Sequence, residues 1–239
     1  MNRQSLKVAP GDVIAQQEGS SWHVIKILQV DSFPDGTSTA HCLSYNDSKS
    51  KPSATSIATL GVRIWHAPIL ASSFAGWERI SNQTVTKEEL AGFIEYLKHT
   101  NFARYITFTG QDLKAVIRRA NEHFQRAYRL GEQGRRTEAI AEYTQAIDLV
   151  PRFYEAIDNR AFTYMDLGRY KDALEDFERS LDVNPNGFEA FFSKGECLLR
   201  LGEFSQAEAI FEEGLTRFPE QRTTFEKFRQ IARAKRMGS

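Results

Sequence analysis

The chain has 239 residues, of which 41% are hydrophobic and 26% are charged, a composition that excludes wholesale disorder and fits one or two domains. Lysine plus arginine and aspartate plus glutamate number 31 each, so no global field indicates nucleic acid or membrane as the partner. This balance hides an asymmetry. Residues 120–221 carry 12 basic and 20 acidic side chains, whereas residues 222–236 carry six basic and one acidic.

Residues 1–80 have the pattern of a small β domain. The run WHVIKILQV, which begins at Trp22, is rich in β-branched and aromatic residues and predicts a strand. The turn signal Pro34-Asp35-Gly36 leads to a second predicted strand, TSTAHCLSY, and the polar loop NDSKSKPSATS leads to a third, LGVRIW. Short strands at this spacing are typical of a small antiparallel barrel or curled sheet.

The start of this region resembles a known barrel. The stretch GDVIAQQEGSSWHVIKILQVD is similar to an SH3-like barrel of the Tudor type, and the resemblance extends over residues 11–66. It implies that Trp22, Tyr45 and Trp65 form an aromatic cage for a methylated side chain. The alternative is that the three rings belong to the core, because strand register decides which way each ring faces.

A helical connector is predicted over residues 81–110. In TKEELAGFIEYLKH, Thr86 and Glu89 form a capping box. One helical face is apolar and consists of Leu90, Phe93, Ile94 and Leu97. The following HTNFARYITFTG is too apolar for a free tether.

Four residue types recur every 34 positions in the second half of the chain. They are the prolines 151, 185 and 219, the glycines 134, 168 and 202, the alanines 139, 173 and 207, and the aromatic residues 143, 177 and 211. Each copy predicts two helices. The first ends at the recurring glycine, and the second ends at the recurring proline. Because one such hairpin cannot cover its own apolar face, the copies are expected to stack into a solenoid.

The end of the chain predicts a cap for this stack. In RTTFEKFRQIARAKR, the residues Phe225, Phe228 and Ala232 share one face, and the remaining surface is mostly basic. An apolar face turned inward and a charged face turned outward are what a terminal capping helix needs.

The length and the A-x-x-x-F…P pattern of residues 120–221 resemble the tetratricopeptide repeat. One column departs from the family, because Arg126, Arg160 and Lys194 stand where its leucine is usual. The predicted fold is therefore α+β with two domains: an SH3/Tudor-like antiparallel β barrel plus helix, and an all-α solenoid of three helix pairs with a capping helix. The expected boundaries are 1–80 for the β domain, 81–110 for the connector and 111–239 for the solenoid.

The resemblance implies that the first helix of each pair lines a concave groove. Helical spacing projects ten side chains into it: Asn121, Phe124, Tyr128, Glu155, Asp158, Asn159, Phe162, Glu189, Phe192 and Glu196. Carboxylates around aromatic rings suit a basic protein segment with apolar or aromatic anchors. The alternative interpretation is that these are solvated helix faces.

Some members of the family grip acidic chaperone tails through a clamp of lysine, asparagine and arginine side chains. Carried over to this chain, the clamp needs lysine at 124 and 189, asparagine at 128 and 159, and arginine at 193. The chain has Phe124, Tyr128, Asn159, Glu189 and Ser193 at these positions, so only Asn159 matches. The sequence therefore argues against that co-chaperone function.

Motifs for catalysis are absent from the sequence. It has no phosphate-binding glycine motif, no G-x-S-x-G, no histidine pair at metal-ligand spacing, and only two cysteines, Cys42 and Cys197. We therefore predict a non-catalytic protein with no cofactor and no metal. Without an apolar leader or an 18-residue apolar run, it is expected to be cytoplasmic.

The sequence thus predicts an interaction scaffold that binds a basic or aromatic-anchored protein segment in the groove. Two other functions remain open: a bacterial immunity or antitoxin protein that covers a toxin, and a nucleic-acid-associated protein that uses the basic C-terminal helix. An enzyme hidden in the N-terminal domain is a third alternative. Nothing in the sequence sets the oligomeric state.

Overall fold

The computed structural model describes residues 5–238, which form two compact units that divide between Gly110 and Gln111. The first unit contains a five-stranded antiparallel sheet followed by two helices, and the second is entirely helical. The strands are β1 (Asp12–Glu18), β2 (Ser21–Ser32), β3 (Ser38–Tyr45), β4 (Val62–Leu70) and β5 (Glu78–Asn82). The predicted antiparallel strands at WHVIKILQV, TSTAHCLSY and LGVRIW are confirmed as β2, β3 and β4.

The sheet is open, which differs from the closed barrel that the sequence predicts. Its strand order is β4-β3-β2-β1-β5, so that β4 and β5 are its two edges among the described strands. The physical reason is that both faces of the sheet are apolar. Val13 and Ala15 of β1 belong to one core cluster, and Ile14 between them belongs to another. Each face is covered separately, and closing the sheet around one interior is unnecessary.

Different segments cover these two faces. One face packs against a helix of the first unit, α1 (Ala91–Thr100), through Phe93 and Leu97. The other packs against Phe74, which lies in a short 3-10 turn, and against Leu6 and Val8. A second helix, α2 (Phe102–Thr109), follows α1 directly and ends at Gly110.

The sequence Gly11-Asp12 fastens β1 to β5. A side chain at Gly11, where φ is +90°, would meet the backbone oxygen of Gln83 at 2.6 Å. The buried Asp12 carboxylate accepts hydrogen bonds from Asn82 Nδ2 at 2.9 Å and pairs with Arg79 at 2.8 Å. This motif therefore has a structural function in the sheet.

A buried ion pair attaches the start of α1 to the sheet. Thr86 N donates to Glu89 Oε2 at 2.7 Å and Glu89 N donates to Thr86 Oγ1 at 3.2 Å, so the two predicted capping-box bonds form, but in the turn that precedes α1, whose own N-cap is Leu90. The same carboxylate receives the ammonium group of buried Lys26 at 2.7 Å. Lys26 also donates to the carbonyl oxygen of Thr84 at 3.0 Å. All three ammonium protons have acceptors within reach, which makes the burial of this charge tolerable.

A polar chain joins α2 to three strands. Arg104 donates to Asp31 at 2.7 Å, Asp31 accepts from His41 Nε2 at 3.0 Å, and His41 Nδ1 lies 2.9 Å from His66 Nε2. A carboxylate only accepts, so with both rings neutral His41 donates to Asp31 and accepts from His66. The Arg104 guanidinium holds the pKa of Asp31 below its usual range, and burial lowers the pKa of His66 to about 4.

The second unit consists of three helix pairs and a final helix. These are α3 (Leu113–Glu132) with α4 (Arg136–Leu149), α5 (Tyr154–Asp166) with α6 (Tyr170–Val183), α7 (Phe188–Leu201) with α8 (Phe204–Arg217), and α9 (Arg222–Met237). Asp112 caps α3 by accepting a hydrogen bond from Lys114 N at 2.9 Å. The solenoid of three pairs with a capping helix is confirmed.

Small residues and rings interlock along the stack. The column alanines 139, 173 and 207 are fully buried, and so are the rings of Phe177 and Phe211. In the last pair, a methyl group added to Gly195 would lie 2.5 Å from the Phe211 ring, and one added to Gly214 would overlap Phe225 of α9. The absence of side chains at both glycines therefore allows the rings to seat.

The basic column that departs from the family forms ion pairs between helices. Arg160 donates twice to Asp176 of α6 at 2.7 Å and once to Thr144 of α4 at 2.9 Å. Arg160 finds its carboxylate 16 residues further along the chain, but the equivalent position for Lys194 is Ile210. Lys194 pairs instead with Glu178 of α6 at 2.9 Å. Polar links thus cross between helices where the family uses leucine.

We expect acid to weaken the first unit through His66. The imidazole has a pKa of about 6.5 when unfolded and about 4 when folded, so the unfolded state binds more protons between these values. Stability should therefore fall as the pH drops from 7 to 4, and it should fall less in His66→Phe. Denaturant unfolding followed by tryptophan fluorescence measures this, since Trp22, Trp65 and Trp77 all lie in the first unit. His99→Gln, at an exposed histidine, is the control; equal pH dependence in both variants and wild type would contradict the assignment.

Adding one methyl group should change the free energy of unfolding in opposite directions at two helical glycines of the second unit. Gly195→Ala overlaps the buried Phe211 ring and should lower the free energy of unfolding by about 1–3 kcal/mol. Gly131→Ala meets no atom within 4 Å and should raise it by about 0.5–1 kcal/mol. Denaturation monitored by circular dichroism at the helix band compares them, and equal effects would refute the packing described for α7 and α8.

Removing one partner of the Arg160–Asp176 pair should be costly. The two side chains are only 13% and 8% exposed, so Arg160→Leu leaves a buried carboxylate unpaired and should cost about 3–5 kcal/mol. The double variant Arg160→Leu/Asp176→Leu should recover most of this loss. Lys194→Leu, which removes a pair with a half-exposed carboxylate, should cost less than about 1 kcal/mol. If the double variant is as unstable as Arg160→Leu, the loss comes from packing and not from the buried charge.

Candidate functional site

The ten predicted groove residues lie on the first helix of each pair, α3, α5 and α7. They fall into three groups in the structure: carboxylates that lie close to one another, rings that are partly exposed, and rings or amides engaged in other contacts. We use the name groove face for the surface formed by Tyr128, Glu155, Asp158, Phe162 and Glu189.

Three carboxylates of the groove face act on one another across two repeats. Burial raises the pKa of Asp158, and the neighbouring charges of Glu155, Glu189 and Asp176 raise it further, whereas the Ser180 hydroxyl opposes the rise. One carboxylate oxygen of Asp158, Oδ1, and the neighbouring Ser180 hydroxyl are both buried, and neither makes a hydrogen bond of good geometry within the described residues. A negative potential is therefore concentrated where α5 faces α7, and a cation placed there would relieve it.

Glu196 continues the acidic surface along α7. Its side chain is half-buried, and burial raises its pKa, while the nearby Arg200 guanidinium partly offsets the effect. Because its pKa is raised for the same primary reason as that of Asp158, both carboxylates are held in surroundings that disfavour their charged form.

Two of the predicted rings are exposed. Tyr128 is 49% exposed and Phe162 is 36% exposed, the latter with one edge against the buried Phe177 ring at a centroid distance of 5.1 Å. Exposed rings beside carboxylates offer apolar and cation–π contacts to an incoming side chain.

The other two rings are held by the solenoid itself. Phe124 packs against Phe153 at 5.1 Å and against Tyr143 at 5.8 Å. Phe192 packs against Phe228 of α9 at 4.8 Å and is half-buried. These two rings therefore contribute mainly to the packing of the stack.

The two predicted asparagines, Asn159 and Asn121, also have different surroundings. Asn159 donates to the backbone oxygen of Glu155 at 2.7 Å, which commits one of its amide protons. Asn121 lines a separate depression on α3, together with Lys114 and Arg118.

Two residues beside the acidic cluster were not predicted from the sequence. Tyr154 interacts through its hydroxyl with Glu155, and Ser180 lies on α6 next to Asp158 and is almost completely buried. Tyr154 is adjacent to Glu155 in the chain, so their proximity could be inferred from the sequence. Ser180 is 22 positions away from Asp158, and only the packing of α6 on α5 brings it near.

The three aromatic residues predicted as a cage occupy different environments in the first unit. Tyr45 lies in the core with 7% exposure, and burial raises its pKa to about 12. Trp22 packs at the edge of that core with the Lys51 ammonium 5.4 Å from its ring centre, and Trp65 on the edge strand β4 is 44% exposed. The cage stays a prediction.

Much of the basic charge on α9 is paired with carboxylates. Arg229 bonds to Glu212 at 2.6 Å, and Arg236 bonds to Glu208 at 2.8 Å. Both carboxylates belong to α8, so these pairs help to hold α9 in place.

Two further properties follow from the described residues. Across positions 5–238, no group of three or more histidine, cysteine, aspartate or glutamate side chains is placed to hold a metal ion. No helix within the same range has both the length and the apolar character needed to cross a membrane.

Comparison with known proteins places the helical unit. A tetratricopeptide repeat family model matches residues 159–222. Among curated proteins, no sequence matches this chain.

Several solved structures are similar to the helical half of the chain. The Arabidopsis OM64 TPR domain is 19% identical, with a TM-score of 0.46, over 50% of this chain and 98% of that one. The TPR2B domain of yeast Sti1, in a complex with an Hsp70 peptide, is 18% identical, with a TM-score of 0.46, over 49% and 98%. The first TPR of Spaghetti (RPAP3), bound to the HSP90 peptide SRMEEVD, is 24% identical, with a TM-score of 0.46, over 52% and 96%.

The family match overlaps the second and third copies of the 34-residue pattern, and the structure forms these copies and the first as successive helix pairs. The helical unit therefore contains a tetratricopeptide repeat match over residues 159–222, and its first helix pair continues the same 34-residue pattern.

Proposed function

We propose that the protein is a non-catalytic adaptor that binds a basic segment of a partner protein, with an apolar or aromatic anchor, on the groove face. The single observation that carries this proposal is the acidic cluster on α5 and α7, in which the half-buried Asp158 carboxylate lies near Glu155 and Glu189. Burial and the neighbouring negative charges disfavour the charged form of this carboxylate, and a lysine or arginine side chain from a partner would offset that effect.

The exposed rings suggest how such a segment is anchored. Phe162 lies one turn beyond Asp158 on α5, and Tyr128 precedes Phe162 by one repeat on α3. Apolar side chains of the partner would pack on these rings, whereas its cation would face Asp158. Electrostatic complementarity would add specificity and a faster association rate.

Binding through the basic C-terminal helix has less support. The guanidinium groups of Arg229 and Arg236 already pair with carboxylates of α8. A phosphate backbone would have to compete with these pairs, and the gain from counterion release would shrink accordingly. Steep salt dependence of oligonucleotide binding would be the sign of that function.

Charge reversal on the groove face should weaken the binding of cationic peptides. A library of 12-residue peptides displayed on phage should yield sequences in which lysine or arginine stands near an aromatic or aliphatic residue. For the best synthetic peptide, we expect Glu155→Lys/Glu189→Lys to weaken the affinity at least about tenfold, or about 1.4 kcal/mol. Fluorescence anisotropy measures this. The control Glu132→Lys/Glu175→Lys makes the same charge change at exposed carboxylates outside the groove face and should change affinity less than about threefold.

The pH dependence of this binding tests Asp158 separately. Because the pKa of Asp158 is raised, its charge is lost at a higher pH than that of an ordinary aspartate, and affinity should fall as the pH falls. Asp158→Asn should bind more weakly at neutral pH and show a smaller pH dependence. Enrichment of acidic peptides, or equal affinity in wild type and the Glu155→Lys/Glu189→Lys variant, would refute the proposed function.

A further inference from the structure

The first helix of the solenoid carries a second surface of opposite charge. It is a shallow depression of about 720 Å³ on α3, which we call the end face, and its lining includes Lys114, Ile117, Arg118, Arg126 and Arg129. Glu122 is the one acidic residue in the lining. Ile117 is 44% exposed and supplies an apolar floor.

The repeats themselves show what normally covers this face. Glu122 stands in the column of Ala156 and Ala190, which are buried where α4 packs on α5 and where α6 packs on α7. In the next column the exposed fraction of the side chain is 46% for Arg126 but only 13% for Arg160 and 23% for Lys194. The surface that a preceding helix buries in copies two and three is therefore exposed in copy one.

The helices that pack on the next helix, α4, α6 and α8, each carry a polar acceptor at the same position of the repeat. Thr144, Glu178 and Glu212 occupy one column of α4, α6 and α8. Each contacts a basic side chain of the helix that follows: Arg160, Lys194 and Arg229, respectively. Three times in this chain, a helix that bears a hydroxyl or a carboxylate packs on a helix that bears a cation.

We propose that the end face of α3 docks an acidic amphipathic helix of a partner protein, in the manner in which α6 packs on α7. Carboxylates of that helix would face Arg118 and Arg129, and an apolar residue would cover Ile117. Arg126 would contribute less, because it already bonds to Glu142 of α4 at 3.0 Å. The surface is separate from the groove face, and the proposal does not depend on the function proposed for that face.

Charge argues for such a partner over a second copy of this chain. The two terminal helices of the stack, α3 and α9, are both rich in arginine and lysine. Head-to-tail stacking of two copies would bring α9 against α3, and a symmetric contact would bring α3 against itself. Both arrangements place like charges together, which is unfavourable.

The probe for this proposal is a helix of the chain itself. Helix α6, YKDALEDFERSLDV, has five carboxylates and two cations and covers the equivalent face of α7. A synthetic α6 peptide, stapled on its outward face to hold the helix, is titrated into the full chain and followed by fluorescence anisotropy. A peptide with asparagine and glutamine in place of the five acids is the comparison.

We expect the acidic peptide to bind and the amide peptide to bind at least about tenfold more weakly, a difference of about 1.4 kcal/mol. Arg118→Glu/Arg129→Glu should weaken the acidic peptide at least about tenfold. The control Arg119→Glu/Lys171→Glu makes the same charge change outside the end face and should change affinity less than about threefold. Glu155→Lys/Glu189→Lys on the groove face should leave it unchanged, which separates this test from that of the proposed function.

Four outcomes would overturn the proposal. They are no binding of the acidic peptide at millimolar concentration, equal losses in the two arginine variants, single-stranded DNA binding that is stronger than peptide binding and lost in Arg118→Glu/Arg129→Glu, and self-association of the wild type that this variant abolishes. The third outcome would assign the surface to nucleic acid, and the last would assign it to a second copy. Sedimentation velocity measures self-association.

Discussion

The helical unit depends on one contact, repeated along the stack: a residue with little or no side chain lies against an aromatic ring of the neighbouring helix. Gly195 against Phe211 and Gly214 against Phe225 are its tightest cases, and there is no room for a methyl group at either. Because α9 contributes Phe225 to this contact, the last helix continues the packing of the repeats before it and buries a face that would otherwise be open. The remaining surface of α9 is mostly charged, as expected of a helix face turned to solvent.

Apolar contacts hold the helices together but do not fix how they are aligned, and polar links add that information. Arg160 reaches both flanking helices, α4 and α6, from α5. The side chains left over from this internal pairing give the unit its two charged surfaces. The groove face is negative because its carboxylates have too few internal cations. On the end face Arg126 pairs with Glu142 of α4, but no preceding repeat supplies further acceptors, and basic side chains outnumber the single carboxylate of its lining. Both surfaces therefore lie where charged side chains outnumber their partners of opposite charge within the repeats.

The first unit is stabilised differently. Its sheet has two apolar faces, and three charged groups beside them are neutralised by ion pairs: Asp12 by Arg79, Lys26 by Glu89, and Asp31 by Arg104. The stacked rings of His41 and His66 extend the last pair into β4. These links join residues that are 25 to 73 positions apart in the chain, so the unit is held together by long-range contacts.

The sequence by itself determined the helical unit, since a column that recurs every 34 residues constrains the same contact several times and makes each assignment mutually consistent. It also determined three strands and the Thr86–Glu89 cap, which depend on neighbours within a few residues. Tertiary structure alone decided that the sheet is open, that Phe192 packs under α9, and that Ser180 lies beside Asp158. Each of these results depends on which distant segments meet, and a pattern of apolar residues shows that a side chain is buried without showing what covers it.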